Sequence, residues 1–204
     1  VMSQPLFLLP ERSWMVMTNE IDVRKHVEKL QVQLEVKLKG EDTYWSKQVW
    51  DESKPLVLVL ANYPTDANLL KGDLTGMLIR NGVVEMGQFG GMMIANLFTR
   101  PVKHPSDKSL STAYAEDGMV ELVKAAKEAD RVIIATGSLP SRSLVAQTRM
   151  GEFWNHCKQE HLEKRVTILV NGKGKAVHPL AIRNEPWQFT GWNEDWMKGS
   201  KEGN

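Results

Sequence analysis

The sequence is poor in cysteine, in net charge and in long apolar segments. Cys157 is the one cysteine among 204 residues, which excludes an internal disulfide and a thiolate metal cluster and favours a reducing compartment. The 26 basic and 25 acidic residues give a formal net charge of +1, so no overall attraction to nucleic acid or to acidic membranes is expected. No segment has the pattern of a signal peptide, and no apolar run is long enough to span a bilayer. The sequence therefore predicts a cytoplasmic protein without membrane contact.

Several motifs of cofactor-dependent and nucleophilic enzymes are also missing. The glycines around Lys173 are not followed by Ser or Thr and do not open a helix, so they do not form a phosphate-binding P-loop, and no dinucleotide fingerprint is present. There is no G-x-S-x-G nucleophile elbow. His156 and His161 are five residues apart, a spacing that does not place both on one helix face. We therefore predict no cofactor and no metal site.

Four apolar runs without polar alternation are present after residue 54. These runs are residues 56–61, 92–98, 131–136 and 165–170. Runs of this kind are typical of strands that are covered on both faces. Because segments with helical spacing separate them, we predict a mainly parallel sheet with right-handed crossovers and helices on both faces, which is an α/β three-layer sandwich.

The N-terminal part of the chain has a different pattern. Val32, Leu34, Val36 and Leu38 alternate with polar residues, which predicts a half-exposed strand. We interpret residues 1–42 as a lead-in that packs on the domain as an antiparallel edge or flap. Residues 43–198 are predicted to form a single α/β domain, and residues 199–204 a disordered tail.

Polar residues follow the predicted strands at their carboxyl ends, where open α/β sheets bind ligands. They are Asn62, Asp66, Asp73, Asn96 and His178. A carboxylate at such a position can orient a water molecule, and an imidazole can stabilise an anionic leaving group. We predict that Asp66, Asp73 and His178 are catalytic. Structural alternatives stay open, because Asp73 has the position of a helix cap and Asp66 that of a turn residue.

The loops at these strand ends have an excess of basic residues. They are residues 62–73, 98–110, 137–144 and 171–185, with eight Lys or Arg residues and four Asp or Glu residues. If the fold prediction holds, one rim of the protein is electropositive and suited to phosphate. Arg100, Lys103 and Lys173 are the predicted phosphate contacts.

The order of short motifs resembles a bacterial and phage family known as domain of unknown function 1643. The matching motifs are Asn62 to Asp66, Asp73-x-Thr75, Asn96-Leu97-Phe98 with Arg100-Pro101, Ala135-Thr136-Gly137 and His178-Pro179-Leu180. Tyr63 departs from the first family motif.

More distantly, the same order is similar to the uracil-DNA glycosylase superfamily. This resemblance implies a glycosylase-like arrangement of the sheet, a base-reading role for Asn96 and a His178 that holds the leaving base. Tyr63 occupies the position of the catalytic residue of that superfamily, so ordinary uracil excision is not implied.

Together, these features suggest a DNA glycosylase-like enzyme that hydrolyses the N-glycosidic bond of a base, including a modified base. Phage defence or DNA-modification metabolism is the setting that this hypothesis suggests. Tyr63 or Phe98 would stack on the base, and Asn62 and Asn96 would bind it. DNA or a nucleotide is the predicted partner, and no obligate protein partner is inferred. Two alternatives remain: a non-catalytic nucleotide or nucleic-acid-binding protein, and a small-nucleotide hydrolase or transferase.

Overall fold

The computed structural model describes residues 31–65 and 73–197. The predictions for the start of the lead-in, for catalytic Asp66 and for the tail at 199–204 therefore lie outside the described residues.

Within the described residues, the strands form one mixed sheet of seven strands in the order β1-β2-β4-β3-β5-β6-β7. The strands are β1 (Gln33–Lys39), β2 (Asp42–Val49), β3 (Leu56–Ala61), β4 (Gly91–Asn96), β5 (Arg131–Ile134), β6 (Val166–Val170) and β7 (Gln188–Gly191). The four central strands, β4, β3, β5 and β6, run parallel. The strands β1, β2 and β7 pair antiparallel at the two edges.

Helices connect the parallel strands. They are α1 (Leu74–Glu85), α2 (Asp107–Leu110), α3 (Gly118–Glu128), α4 (Leu139–Arg142) and α5 (Leu144–Gln159), with 3₁₀ turns at Glu163–Arg165, Pro179–Ala181 and Glu194–Met197. The α/β class predicted from the apolar runs is confirmed. In the described part of the chain, no helix has the length and apolarity needed to cross a lipid bilayer.

The parallel strands are buried on both faces because helices pack on each. On one face, Val57 and Val59 of β3 pack with Ile79 and Val83 of α1. On the other face, neighbouring β3 residues pack with α3 and α5. This division follows from the strand order, since the chain leaves β3 toward β4 through α1 and then returns in the opposite direction toward β5 and β6. Right-handed crossovers in opposite directions place their helices on opposite faces.

The antiparallel pair β1–β2 extends the sheet at the β4 edge. Three of its lysines form ion pairs with carboxylates along α3. The pairs are Lys37–Glu121 at 2.5 Å, Lys39–Asp117 at 2.8 Å and Lys47–Glu128. The pair Lys37–Glu121 contains a largely buried carboxylate, whereas the other two are more exposed and contribute less. These contacts attach the β1–β2 pair to the helix layer as well as to the sheet.

Candidate functional site

The carboxyl end of β3 lies at the point where the strand order reverses. Its neighbours β4 and β5 are reached by connections that leave in opposite directions. In open α/β sheets this is where a crevice forms and ligands bind. The residues at these strand ends are Asn62 after β3, Asn96 at the end of β4, and Thr136 and Gly137 after β5.

Asn62 joins the ends of β3 and β5. Its side-chain amide nitrogen donates to the carbonyl oxygen of Thr136 at 3.1 Å. This hydrogen bond fixes the orientation of the amide, because a carbonyl oxygen accepts only. Asn62 Oδ1 and Thr136 Oγ1 are buried without a hydrogen-bond partner among the described residues. An unsatisfied buried polar group is destabilising by about 1–3 kcal/mol, so two such atoms at neighbouring strand ends mark a place where the fold is not optimised for stability alone.

Asp73 caps α1, which is the structural role that its position in the sequence also allowed. Its Oδ1 accepts from the backbone nitrogen of Gly76 at 2.7 Å, and its Oδ2 accepts from the hydroxyl of Thr65. The second contact connects the helix start to the segment that leaves β3. Each carboxylate oxygen keeps further lone-pair capacity, so the capping role does not exclude contact with a ligand.

His178 lies close to Asp73. Burial lowers the pKa of the His178 imidazole, and the Asp73 carboxylate opposes this shift. Its Nδ1 accepts from the backbone nitrogen of Leu180 at 3.3 Å, so in the neutral ring the proton is on Nε2. The imidazole at neutral pH is therefore uncharged and presents an N–H donor.

Gly137 allows the His178 segment to approach the end of β5. It has a φ of +61°, and a Cβ at this position would lie only 2.9 Å from the backbone nitrogen of His178. A residue with a side chain would thus be strained in its backbone and would push the histidine segment away.

Asn96 is 9% exposed and lies in register with Ala61 of β3. The side-chain amide of Asn96 makes no hydrogen bond with another described residue. An amide offers donors and an acceptor in one plane, which is the chemistry needed to bind the edge of a base. Asp73, His178, Asn62 and Asn96 are therefore all placed at the carboxyl end of the parallel sheet.

Phe98 and Tyr63 differ in their surroundings. Phe98 is 0% exposed and packs against Tyr114, with ring centroids 6.3 Å apart. A ring without exposed surface is not open to a ligand in this structure, and the stacking role of Phe98 stays a prediction. Tyr63 is half-buried against the core on the α3 and α5 side, and its stacking role stays a prediction.

Arg100 is engaged in a contact within the protein. Its Nε and Nη2 donate to the two carboxylate oxygens of Asp42 at 3.0 and 3.1 Å, and its Nη1 donates to the carbonyl of Thr112 at 3.1 Å. The charge of Arg100 is therefore compensated, and the contact fastens the loop after β4 to the start of β2. Its predicted role as a phosphate contact stays a prediction.

Other basic residues of the rim are exposed and make no ion pair with a described residue. They are Lys103, Lys108, Arg142, Lys173, Lys175 and Arg183. Lys103 lines an open groove of about 650 Å³ together with Arg100, His104 and Glu41. Lys173 lies in the turn after β6. Both keep their predicted role as phosphate contacts.

Thr136 was noted from the sequence only as part of the motif Ala135-Thr136-Gly137, and two other residues near the site were not predicted. Asp42 gave no signal, because its role depends on how β2 joins β4. Arg149 could have been noticed, since it falls on the same helical stripe as the buried Met150 and Phe153. In the described residues, no group of three or more His, Cys, Asp or Glu side chains is arranged to hold a metal ion.

One known family matches the part of the chain that contains the described site residues. The family model described as protein of unknown function (DUF1643) matches residues 44–180, from β2 to the turn after His178. No curated protein and no solved structure gives a significant match. Because the matched segment is more than half of the sequence, the chain belongs to the DUF1643 family.

Proposed function

We propose that this protein hydrolyses the N-glycosidic bond of a base in DNA, with the sheet arrangement of the uracil-DNA glycosylase superfamily. The observation that carries the proposal is that Asp73 and His178 lie near each other at the strand ends, where burial lowers the pKa of the imidazole and the Asp73 charge offsets only part of this shift. Asn96 and Asn62 border the same end of the sheet. This combination of a carboxylate, a neutral imidazole and amides suits the cleavage of a bond between a sugar and a base.

In the proposed reaction, the bond between the sugar C1′ and the base nitrogen breaks, and the base leaves with the electron pair. A water oxygen bonds to C1′ and loses its proton to an acceptor. Asp73, or Asp66, which follows Thr65 in the sequence, accepts this proton. The N–H of His178 Nε2 donates to the departing base as negative charge develops on it.

Substrate binding would use the remaining groups of the rim. Asn96 pairs with the edge of the base, and Tyr63 stacks on its face. Lys103 and Lys173 contact phosphates on either side of the crevice, and their contribution weakens as salt rises.

A second candidate function is non-catalytic binding of nucleotides or nucleic acid on the same rim. It is favoured by the two hydrogen bonds that Asp73 already accepts, one from Gly76 and one from Thr65. A carboxylate that only caps a helix would leave a binding surface without turnover.

Product analysis separates these functions. The protein is incubated with oligonucleotides that carry different base modifications, and free bases are measured by mass spectrometry. A glycosylase releases a free base, whereas a binder shows salt-dependent DNA binding and no product. Turnover of mononucleotides combined with no action on DNA would identify a small-nucleotide hydrolase or transferase instead.

Matched variants test the catalytic assignment. Asparagine is as good a helix cap as aspartate, so Asp73→Asn keeps α1 intact and is expected to lower turnover by about 10²–10⁴-fold if Asp73 is the base. Asp66→Asn tests the alternative carboxylate. Asp51→Asn is the control, because Asp51 lies in the turn before β3 at the opposite end of the sheet. Equal and negligible effects of Asp66→Asn and Asp73→Asn would remove the water-activating role from both.

A further inference from the structure

A buried arginine lies behind the strand end that carries Asn96. Arg149 of α5 is 6% exposed, and no described acidic residue forms an ion pair with it. Burial lowers the pKa of its guanidinium, while Tyr114 and Glu152 act in the opposite direction. An arginine remains charged under these conditions. Burial of a charge that no ion pair compensates is unfavourable, so the groups that contact this guanidinium must hold it in place.

The contacts of Arg149 are few and directional. Its Nε donates to the carbonyl oxygen of Leu97 at 2.9 Å. Its Cζ lies 3.8 Å from the ring centroid of Tyr114 and 5.7 Å from that of Phe98. Stacking on aromatic rings fixes the plane of a guanidinium, so the direction of the Nε–H bond is fixed as well.

Leu97 is the residue directly after Asn96, and it is held from two sides. Its backbone nitrogen donates to Ala61 of β3 at 2.9 Å, and the next nitrogen, of Phe98, donates to Asn62 at 2.9 Å. The sheet thus holds one side of this segment, and Arg149 holds the carbonyl of Leu97 from the helix layer. Rotation of the peptide between Leu97 and Phe98, directly after the residue that follows Asn96, would break the hydrogen bond to Arg149.

The helix that carries Arg149 is itself anchored near the strand ends. Ser143 caps α5 by accepting from the backbone nitrogen of Ala146 at 3.2 Å, and its hydroxyl donates to Asp107 of α2. Arg149 is therefore held between a fixed helix and the end of β4.

On the basis of the glycosylase function proposed above, we propose that Arg149 is a positioning residue that fixes the orientation of Asn96 toward the base. It does not contact the substrate. It acts through the Leu97 carbonyl, and a displaced amide at position 96 would weaken recognition of the base. Misplacement of a positioned group by about 1 Å reduces rates on the order of 100-fold.

The test compares Arg149→Met with Met150→Ala. Methionine at 149 removes the donor to Leu97, whereas Met150→Ala removes a fully buried side chain of the same core and leaves the Arg149 donor to that carbonyl in place. The first readout is the side-chain amide resonance of Asn96 in ¹H–¹⁵N spectra, assigned with Asn96→Asp. We expect Arg149→Met to shift this resonance and Met150→Ala to leave it in place, even where both lower the melting temperature. Arg149→Lys, which retains a charged donor, should restore most of the wild-type shift.

The second readout is base release. Arg149→Met is expected to lower kcat/KM by about 10–100-fold at a temperature where Met150→Ala is fully active. An unmoved Asn96 resonance in Arg149→Met, or an equal shift in Met150→Ala, would overturn the positioning role. If Arg149→Met does not fold, Tyr114→Leu loosens the guanidinium instead, and an unchanged Asn96 resonance in that variant would overturn the role as well. Failure of the wild type to release any base refutes the glycosylase function, whereas the resonance still decides the role of Arg149.

Discussion

Substitution of Gly137 by alanine tests whether the close contact between the end of β5 and the His178 segment holds the imidazole in place. The left-handed backbone conformation at φ +61° is unfavourable for an L-residue by about 1–2 kcal/mol. The added Cβ would also lie 2.9 Å from the His178 nitrogen and 3.2 Å from its Cβ. Overpacking of this kind is destabilising by about 1–3 kcal/mol. We therefore expect Gly137→Ala to lower the free energy of unfolding by about 2–5 kcal/mol.

Gly87→Ala is the matched control for this substitution. Gly87 has a similar φ of +71°, but no atom lies within 4 Å of the position of its Cβ. Gly87→Ala should therefore lower the free energy of unfolding by the backbone strain alone, which is about 1–2 kcal/mol. In a domain of this size, 1 kcal/mol corresponds to roughly 2–4 °C in melting temperature, so the two variants are separable by thermal unfolding.

The titration of His178 provides a more direct measurement. Burial lowers the pKa of this imidazole, and an outward shift of the segment exposes it, so Gly137→Ala should raise the pKa toward its ordinary value. Gly87→Ala should leave it unchanged. Equal losses of melting temperature in the two variants, together with identical His178 titration curves by NMR, would refute the idea that Gly137 positions the histidine.

Three further outcomes follow from the titratable groups. At Asp42, hydrogen bonds led by that from Arg100 outweigh burial and lower the carboxyl pKa, so its stabilising effect is present above about pH 4 and lost as the pH falls further. Asp42→Asn should lower the free energy of unfolding by about 1–3 kcal/mol at pH 7 and by much less near pH 3, and a urea-unfolding difference that is independent of pH would contradict this. Asp73→Asn removes the charge that raises the His178 pKa, so this pKa should fall, and an unchanged NMR titration would show that the two side chains are not close. Burial raises the pKa of Cys157 to about 12, so its thiol should react with Ellman's reagent only as the protein unfolds, and rapid reaction under native conditions would contradict its burial.

The central sheet could be predicted because its strands have a strong and local signal. The run from Leu56 to Ala61 contains no polar residue, and this is sufficient to identify a strand covered on both faces. β7 was not predicted, because Gln188–Gly191 is short, lies at an edge and has only partly buried residues. The attachment of β2 to β4 was not predicted either, since pairing partners of an edge strand depend on the whole topology.

The candidate site was predicted in position more than in detail. The strand-end rule placed Asn62, Asp73, Asn96 and His178 at one end of the sheet, because it depends only on strand direction. The direction of individual side chains after a strand is not encoded locally. For this reason the burial of Phe98 and the pairing of Arg100 with Asp42 were not predicted.

The place of His178 in the chain has a consequence for biosynthesis. The ribosome releases Asp73 and Asn96 early, together with the first four strands, and releases the histidine only after β6. Until then the end of β5 at Gly137 lacks the segment that packs on it. Nascent chains stalled before and after this point would therefore separate folding of the sheet from completion of the candidate site. Only in the longer chain would the His178 segment pack against the end of β5.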